Sequence, residues 1–265
     1  LPTCLGEKNN VTNHPRDTLP ALQAATTILL ALDFDGTLAH LVDDPDDARM
    51  TPEARDALNR LGGDHRVVIA LVSGRGAKNL IDLSTPDSSW WVVGSHGMEV
   101  VAPGSAPDSG LTPQLVSNRE ELWRQFGQVA ANFPGVWVEE KTWGSALHTR
   151  GVSPEVELAA HTALWPVIER WGETLTTRTG HGILESSLGT ATKGDGINRV
   201  AKATKPDVTV FIGDDVTDED GFAVLGDSDV GIKVGPGDTR ARFRLPGGPG
   251  EVAKFLADLA HSRGV

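Results

Sequence analysis

The reading turns on Ile28-Leu29-Leu30-Ala31-Leu32-Asp33-Phe34-Asp35-Gly36-Thr37. Five aliphatic residues in a row, with no polar alternation, suit a strand buried on both faces, as in a parallel sheet covered by helices. The run ends in two aspartates. In open parallel α/β sheets ligands collect outside the carboxyl ends of the strands, so Asp33 and Asp35 stand where chemistry is expected. Two residues apart, they can point the same way. Carboxylates placed so close repel unless a cation or a shared proton holds them, and magnesium supplies such a cation, with hard oxygen ligands and room for a phosphate. One carboxylate can attack phosphorus; the other can protonate the leaving alcohol and later activate water. An arbitrary D-x-D is more often a solvated acidic turn. The apolar run before it and Gly36-Thr37 after it favour the catalytic reading.

Working outward, Arg66–Val72, Trp90–Val93, Val208–Ile212 and Val230–Val234 have the same aliphatic character as Thr27–Leu32. Helical patterns lie between several of them, at Pro52–Leu61, Asp195–Lys202 and Asp218–Leu225. Strands alternating with helices predict an α/β fold, a doubly wound, mostly parallel sheet core. The gap of over 100 residues between the third and fourth strands is too long for a crossover and predicts an inserted α+β cap domain. Its pattern is helix, hairpin, helix, hairpin: a stripe of Leu122, Phe126, Val129 and Phe133, strands Val136–Lys141 and Ser145–Arg150, a stripe from Val156 to Trp171, then strands Thr174–Thr179 and Gly182–Ser187 around Gly180-His181. The expected division is a core of residues 21–101 and 188–265, a cap of 102–187, and a loose lead-in of 1–20.

Three further motifs follow in order. Val72-Ser73-Gly74-Arg75 ends the second strand, where a hydroxyl and a backbone N–H before a helix suit a phosphate oxygen; alone, Ser-Gly is usually only a turn. Thr192-Lys193-Gly194 opens a helix, and Lys193 can neutralise charge on Asp33 and on a phosphoryl group, although most lysines are surface residues. Gly213-Asp214-Asp215-Val216-Thr217-Asp218 ends the fourth run, with Asp214 placed as a metal ligand and Asp215 and Asp218 as support. A calcium loop does not fit, because its template would put Val216 at the first ligand position. Together these bring a nucleophile, a hydroxyl, an ammonium and a metal site to one sheet edge, which is most of what phosphoryl transfer requires. In the cap, Val136 and Val138 share one strand face and Trp137, Glu139 and Lys141 the other. A carboxylate and an ammonium side by side suit a polyhydroxylated ligand; the plainer alternative is a wet cross-strand ion pair.

Net charge is −12, which argues against nucleic acid as a partner. No apolar run approaches 18 residues, so no membrane span is expected. The single cysteine, Cys4, makes no intrachain disulfide and fits a reducing cytoplasm. The chain opens at Leu1, so an upstream start is expected. No organic cofactor is indicated, and oligomeric state is not legible.

The four motifs resemble, in type and order, those of the haloacid dehalogenase-like phosphatases. Gly94-Ser95-His96-Gly97-Met98-Glu99, Val138-Glu139-Glu140-Lys141, Ala146–Arg150 and Gly213–Glu219 further resemble the trehalose-6-phosphate phosphatases, over about residues 27–255. The resemblance implies Asp33 as nucleophile and Asp35 as general acid/base, Mg²⁺ held by Asp33, the Asp35 backbone carbonyl and Asp214, and sugar contacts from Glu139, Lys141 and Glu185. Thr37, Gly74, Arg75, His96, Gly97, Glu99 and Arg150 stand in the same motifs and are candidate substrate-binding residues; His96 has a plain reading as a packing residue, and His148 and Arg150 as structural ones. The chain departs from the family at Ser187 and Leu188, where a basic residue and a proline are common, and at Thr149, where a tyrosine is common. The expected substrate is therefore trehalose 6-phosphate or a related phosphorylated sugar or pseudo-disaccharide such as an aminocyclitol analogue. A phospho-accepting signalling domain is the rival outside enzymes, but it needs neither D-x-D-G-T nor a long insertion.

Overall fold

The computed structural model describes residues 14–180 and 182–265. Cys4, His181 and most of the expected lead-in lie outside the described residues. In chain order, a 3-10 turn at Pro15–Thr18 leads into α1 (Leu19–Ala24), β1 (Ile28–Asp33), α2 (Pro52–Gly62), β2 (Val67–Val72), α3 (Ala77–Ser84), β3 (Trp91–Gly94) and β4 (Glu99–Val101). Then come α4 (Pro113–Ala130), β5 (Trp137–Lys141), β6 (Gly144–His148), α5 (Pro154–Trp171), β7 (Thr176–Gly180) and β8 (Ile183–Ser187). The chain closes with α6 (Lys193–Thr204), β9 (Val208–Gly213), α7 (Glu219–Phe222), β10 (Val230–Val234), β11 (Phe243–Leu245) and α8 (Pro249–Arg263).

The first sheet has the order β11-β10-β9-β1-β2-β3-β4, parallel except for the β3–β4 pair. All six residues of β1 are buried. Their side chains alternate between two apolar layers: Ile28, Leu30 and Leu32 pack towards α2 and α8, and Leu29 and Ala31 towards Ile197 and Val200 of α6 and Phe222 of α7. Register sets the site. Asp33 pairs with Val72 of β2, and Leu32 with Ile212 of β9, so Asp33, Ser73 and Gly213–Asp214 emerge at the same edge.

The second sheet is antiparallel, β5-β6-β8-β7. Val138, Leu147 and Leu184 pack on Leu122, Phe126, Leu164 and Ile168 of α4 and α5. With helices on that face only, the alternation of β5 leaves Trp137, Glu139 and Lys141 on the open one. Hydroxyl caps followed by proline start three helices, at Thr51-Pro52, Thr112-Pro113 and Ser153-Pro154; each hydroxyl accepts from an otherwise unpaired N–H and each proline occupies a position where no N–H is needed.

Several expectations need correction. Residues 15–24 are helical rather than loose, because Leu22 is buried in the core. The short strands β4 and β11 were not read. The first cap helix stops at Ala130, so Phe133 packs from beyond its end; Pro134-Gly135 cannot continue it. The helix expected over Asp218–Leu225 is a 3-10 turn at Val216–Asp218 and the four residues of α7. β6 ends at His148, so Arg150 does not share its face and lies exposed in the turn that follows.

Candidate active site

At the carboxyl edge of the first sheet, Lys193 Nζ donates to Asp33 Oδ1 at 2.7 Å and to Asp218 Oδ1 at 2.7 Å. Lys193 is 3% exposed and Asp218 fully buried. The lysine is delivered by the first turn of α6, which a reciprocal cap fixes: Thr192 and Asp195 bond to each other's backbone N–H. Carboxylate oxygens of Asp33, Asp214 and Asp218 lie within 4.8 Å of one another. Burial pushes Asp33 well above the usual carboxylate range; Lys193 pulls it back, while Asp218 and Asp214 push it further up. Asp214 is raised for the same reasons, burial first and then Asp218. Burial works against the charge on Lys193, but Asp218 and Asp33 outweigh it and hold the ammonium above its ordinary value.

The cluster thus carries more negative charge than Lys193 can balance, and its donors are hard oxygens. These residues fit a divalent cation such as Mg²⁺. Both Asp218 oxygens are already engaged, one by Lys193 and the other by the Asp215 N–H at 2.8 Å, which leaves Asp33 and Asp214 as the side chains to hold it. Thr37 Oγ1 donates to Asp214 Oδ1 at 3.1 Å, so Thr37 orients the Asp214 carboxylate. Gly36 has a φ of +80°, and a Cβ there would collide with Asp214. Asp215 is exposed and caps the 3-10 turn through its side chain. Lys233, buried in β10, bonds the carbonyls of Asp214 and Asp215. Motif reading missed it, although a lysine inside the apolar run Val230–Val234 signals a buried partner.

Asp35 lies outside this cluster. Its two oxygens accept from Arg75 Nη2 at 2.8 Å and Nε at 2.7 Å. Arg75, expected to contact substrate, is instead forked onto Asp35. Burial opposes its charge, but the Asp35 pair more than compensates. Ser73 is 2% exposed and its hydroxyl accepts from the Arg75 N–H at 3.1 Å. A Cβ on Gly74 would lie 2.5 Å from the His96 ring, so only glycine lets the loop pass. Glu99 is a further correction: its Oε2 accepts from the Ala77 N–H at the start of α3 at 3.1 Å and from the Ser95 hydroxyl at 2.6 Å. It is a buried anchor for the turn that holds His96. Gly97 packs on the Thr192 carbonyl at the start of α6.

The open face of the second sheet carries the remaining candidates. Lys141 Nζ is 2.7 Å from Glu185 Oε2 and 3.9 Å from Glu139 Oε2. Glu139 also bonds His148 Nε2 at 2.9 Å. Burial pushes Glu139 up, but His148 and Lys141 together hold it below its ordinary value. His96 reaches towards this face from the core, with Nε2 3.8 Å from Glu185 Oε1. Burial, then the charges of Lys193, Arg178 and Lys141, hold its imidazole well below the ordinary histidine range, so it is neutral. Trp137 is 46% exposed and stacks on His148, ring centroids 3.9 Å apart. Trp137 and Glu139 form one wall of a cavity of about 600 Å³ whose other wall is Asp43–Asp46 of the core. Arg150 makes no side-chain bond among the described residues. Arg178, which no motif flagged, lies on β7 directly opposite Glu185.

The chain is similar to known proteins. The family model described as trehalose-phosphatase matches residues 31–247. A trehalose-phosphate phosphatase of Mycobacterium bovis is 34% identical over 248 residues, covering 86% of this chain; one of Mycobacterium marinum is 33% identical over 246 residues. The chain spans 60% of the length of these relatives. Among solved structures, the C-terminal domain of the Candida albicans trehalose-6-phosphate phosphatase superposes with a TM-score of 0.79 at 20% identity, covering 93% of this chain and 96% of that one. A trehalose-6-phosphate phosphatase related protein gives 0.76 at 21%, covering 88% and 97%. These two show the shared fold.

Proposed function

This chain belongs to the trehalose-phosphatase family, and on that premise we propose that it is a phosphatase that hydrolyses a disaccharide phosphate, trehalose 6-phosphate in the first instance. The observation that carries the reading is the meeting of Asp33, Asp214, Asp218 and Lys193 at one sheet edge, below a sheet face that presents Glu139, Lys141 and Glu185.

In the proposed sequence Asp33 attacks the phosphorus and becomes an aspartyl-phosphate. Asp35, protonated and released from the Arg75 fork, gives its proton to the departing sugar oxygen, then as carboxylate takes one from the water that cleaves the acyl phosphate. Ser73 and the Gly74 N–H receive phosphoryl oxygens, and Lys193 balances charge on them and on Asp33. Mg²⁺, held by Asp33, the Asp35 carbonyl and Asp214, would supply electrostatic stabilisation of the transferring phosphoryl group. Glu139, Lys141 and Glu185 orient the sugar, accepting from and donating to its hydroxyls. We place the enzyme in the cytoplasm on the strength of its cysteine usage; among the described residues no helix is long and apolar enough to cross a membrane.

A second substrate reading has one observation in its favour. The cavity beside Trp137 is lined by Asp43, Asp44, Asp46 and Glu139 with no basic residue. An indole face among carboxylates suits a cationic ring, as in an aminocyclitol pseudo-disaccharide phosphate. Phosphate release from trehalose 6-phosphate, an amino-disaccharide phosphate and glucose 6-phosphate, with Mg²⁺ and with EDTA, tests both readings. Release from a disaccharide phosphate that EDTA abolishes is expected. No release from any of the three, or stable phosphorylation of the chain without turnover, would defeat the phosphatase reading.

A further inference from the structure

Charges alternate along the open face of the second sheet. His148 bonds Glu139, Lys141 lies between Glu139 and Glu185, and Glu185 Oε1 faces His96. The register then places Arg178 of β7 directly opposite Glu185 of β8. A guanidinium beside a carboxylate ordinarily forks onto it. Arg178 does not: it forms no ion pair among the described residues, and its buried Nη1 has no hydrogen-bond partner. Glu185 spends its oxygens on Lys141 and towards His96 instead. A second unsatisfied group is the Nδ1 of His96, a residue only 9% exposed whose Nε2 faces Glu185. Buried polar groups are mostly satisfied in folded proteins, and Glu185 here has two neighbours, Arg178 and His96, that each keep an unsatisfied nitrogen, as a site completed by a ligand would.

We propose that Arg178 is a specificity-determining residue whose guanidinium donates to hydroxyl oxygens of the sugar bound against Glu185. The inference rests on the reading of this site as that of a sugar-phosphate phosphatase, and it adds a residue that reading does not contain. The acceptor is the sugar rather than the phosphoryl group, because Arg178 belongs to the row of Glu139, Lys141 and Glu185, whereas the phosphoryl-binding groups, Ser73 and Lys193, belong to the first sheet. The planar fork of an arginine matches two adjacent hydroxyl oxygens. Carboxylates on the same row accept the hydroxyl protons, so each sugar hydroxyl finds both a donor and an acceptor.

The test is steady-state kinetics of wild type, R178Q and R178K on trehalose 6-phosphate and on p-nitrophenyl phosphate, with calorimetric titration of trehalose into each protein. R178Q should lower the ratio of kcat/KM for the disaccharide over that for the aryl ester by at least about tenfold, the scale of one charge-assisted hydrogen bond. Most of the loss should fall in KM, sugar binding should weaken in parallel, and R178K should recover part of it. An unchanged ratio, or equal losses on both substrates with a lowered melting temperature, would overturn the inference and leave Arg178 a structural cation. Failure of the underlying functional reading would look different: wild type would then release phosphate from no sugar phosphate. Calorimetry would still decide on Arg178, since sugar binding absent from wild type, or equal in wild type and R178Q, overturns it.

Discussion

Gly36 and Asp214 compete for one volume: a Cβ on Gly36 would lie 2.1 Å from Asp214 Oδ2. The glycine that follows Asp35 therefore does two things. It turns the chain at a φ of +80°, and it leaves the metal-site carboxylate its place beside Asp33. Gly36→Ala should displace Asp214 and strain the turn. Because misplacement by about 1 Å can cost about a hundredfold in rate, kcat should fall by at least that factor. The Mg²⁺ concentration needed for half-maximal activity should rise. An unaltered metal titration would show that Asp214 keeps its position without the glycine.

Asp33→Asn should abolish phosphate release while the protein stays folded. The substitution removes a buried charge that Asp214 and Asp218 repel, and Lys193 retains its bond to Asp218. A melting temperature within a few degrees of wild type, with turnover below detection, is the expected pair of results. Wild-type turnover in this variant would discard Asp33 as the nucleophile.

Glu139→Ala and Lys141→Ala should raise KM for a disaccharide phosphate at least about tenfold, on the scale of a lost hydrogen bond to a charged group, and affect a small aryl phosphate far less. Both residues stand on the open sheet face rather than at the Asp33 edge. Equal changes on the two substrates would remove them from sugar recognition.

Asp64 is an electrostatic lock far from the chemistry. Its carboxylate accepts from Arg66 at 2.9 Å and from the buried Arg263 of α8 at 2.8 Å, and Arg263 also bonds the Leu22 carbonyl after α1 begins. Asp64→Ala should destabilise the fold by about 3 kcal/mol at pH 7, because a buried guanidinium loses its partner. Arg66 first and then Arg263 hold Asp64 well below the usual carboxylate range. The unfolded chain therefore binds this proton more readily than the folded one. The stabilisation is complete above the unfolded carboxyl value, about 3.9, and is lost as pH falls from there towards the lower folded value. Urea unfolding at a series of pH values should show wild type losing stability below about pH 4 more steeply than the variant.

Much of this was legible in the sequence because burial on both faces leaves an unbroken aliphatic run. Ile28–Leu32 and Val208–Ile212 announce their strands, and the acids that end them announce the site. What failed to show depended on distant pairing. Phe243–Leu245 and Glu99–Val101 are strands three residues long, too short for any periodicity. Arg178 sits in Thr-Thr-Arg-Thr-Gly, a plain polar strand until the β7–β8 register sets it against Glu185. Arg75 looked like a substrate contact beside Ser73-Gly74, yet Asp35, forty residues earlier, takes its Nε and Nη2, and Asn79 takes Nη1. Glu99 and Arg150 belonged to suggestive motifs, and only the coordinates separate a helix anchor and an exposed turn residue from a binding surface.

The strand that ends in Asp33 has one neighbour close by in sequence and another very distant: β1 lies between β2 and β9, and Thr27, just before β1, bonds Asp207, 180 residues away. During synthesis the carboxylate trio cannot assemble until β9 has left the ribosome, so until then a nascent chain carries Asp33 without Asp214 or Asp218 around it. Pairings between such remote segments slow folding, and the trio forms only in a chain that extends through β9. A product that ends before β9 would accordingly have no such cluster at all rather than a weakened form of it.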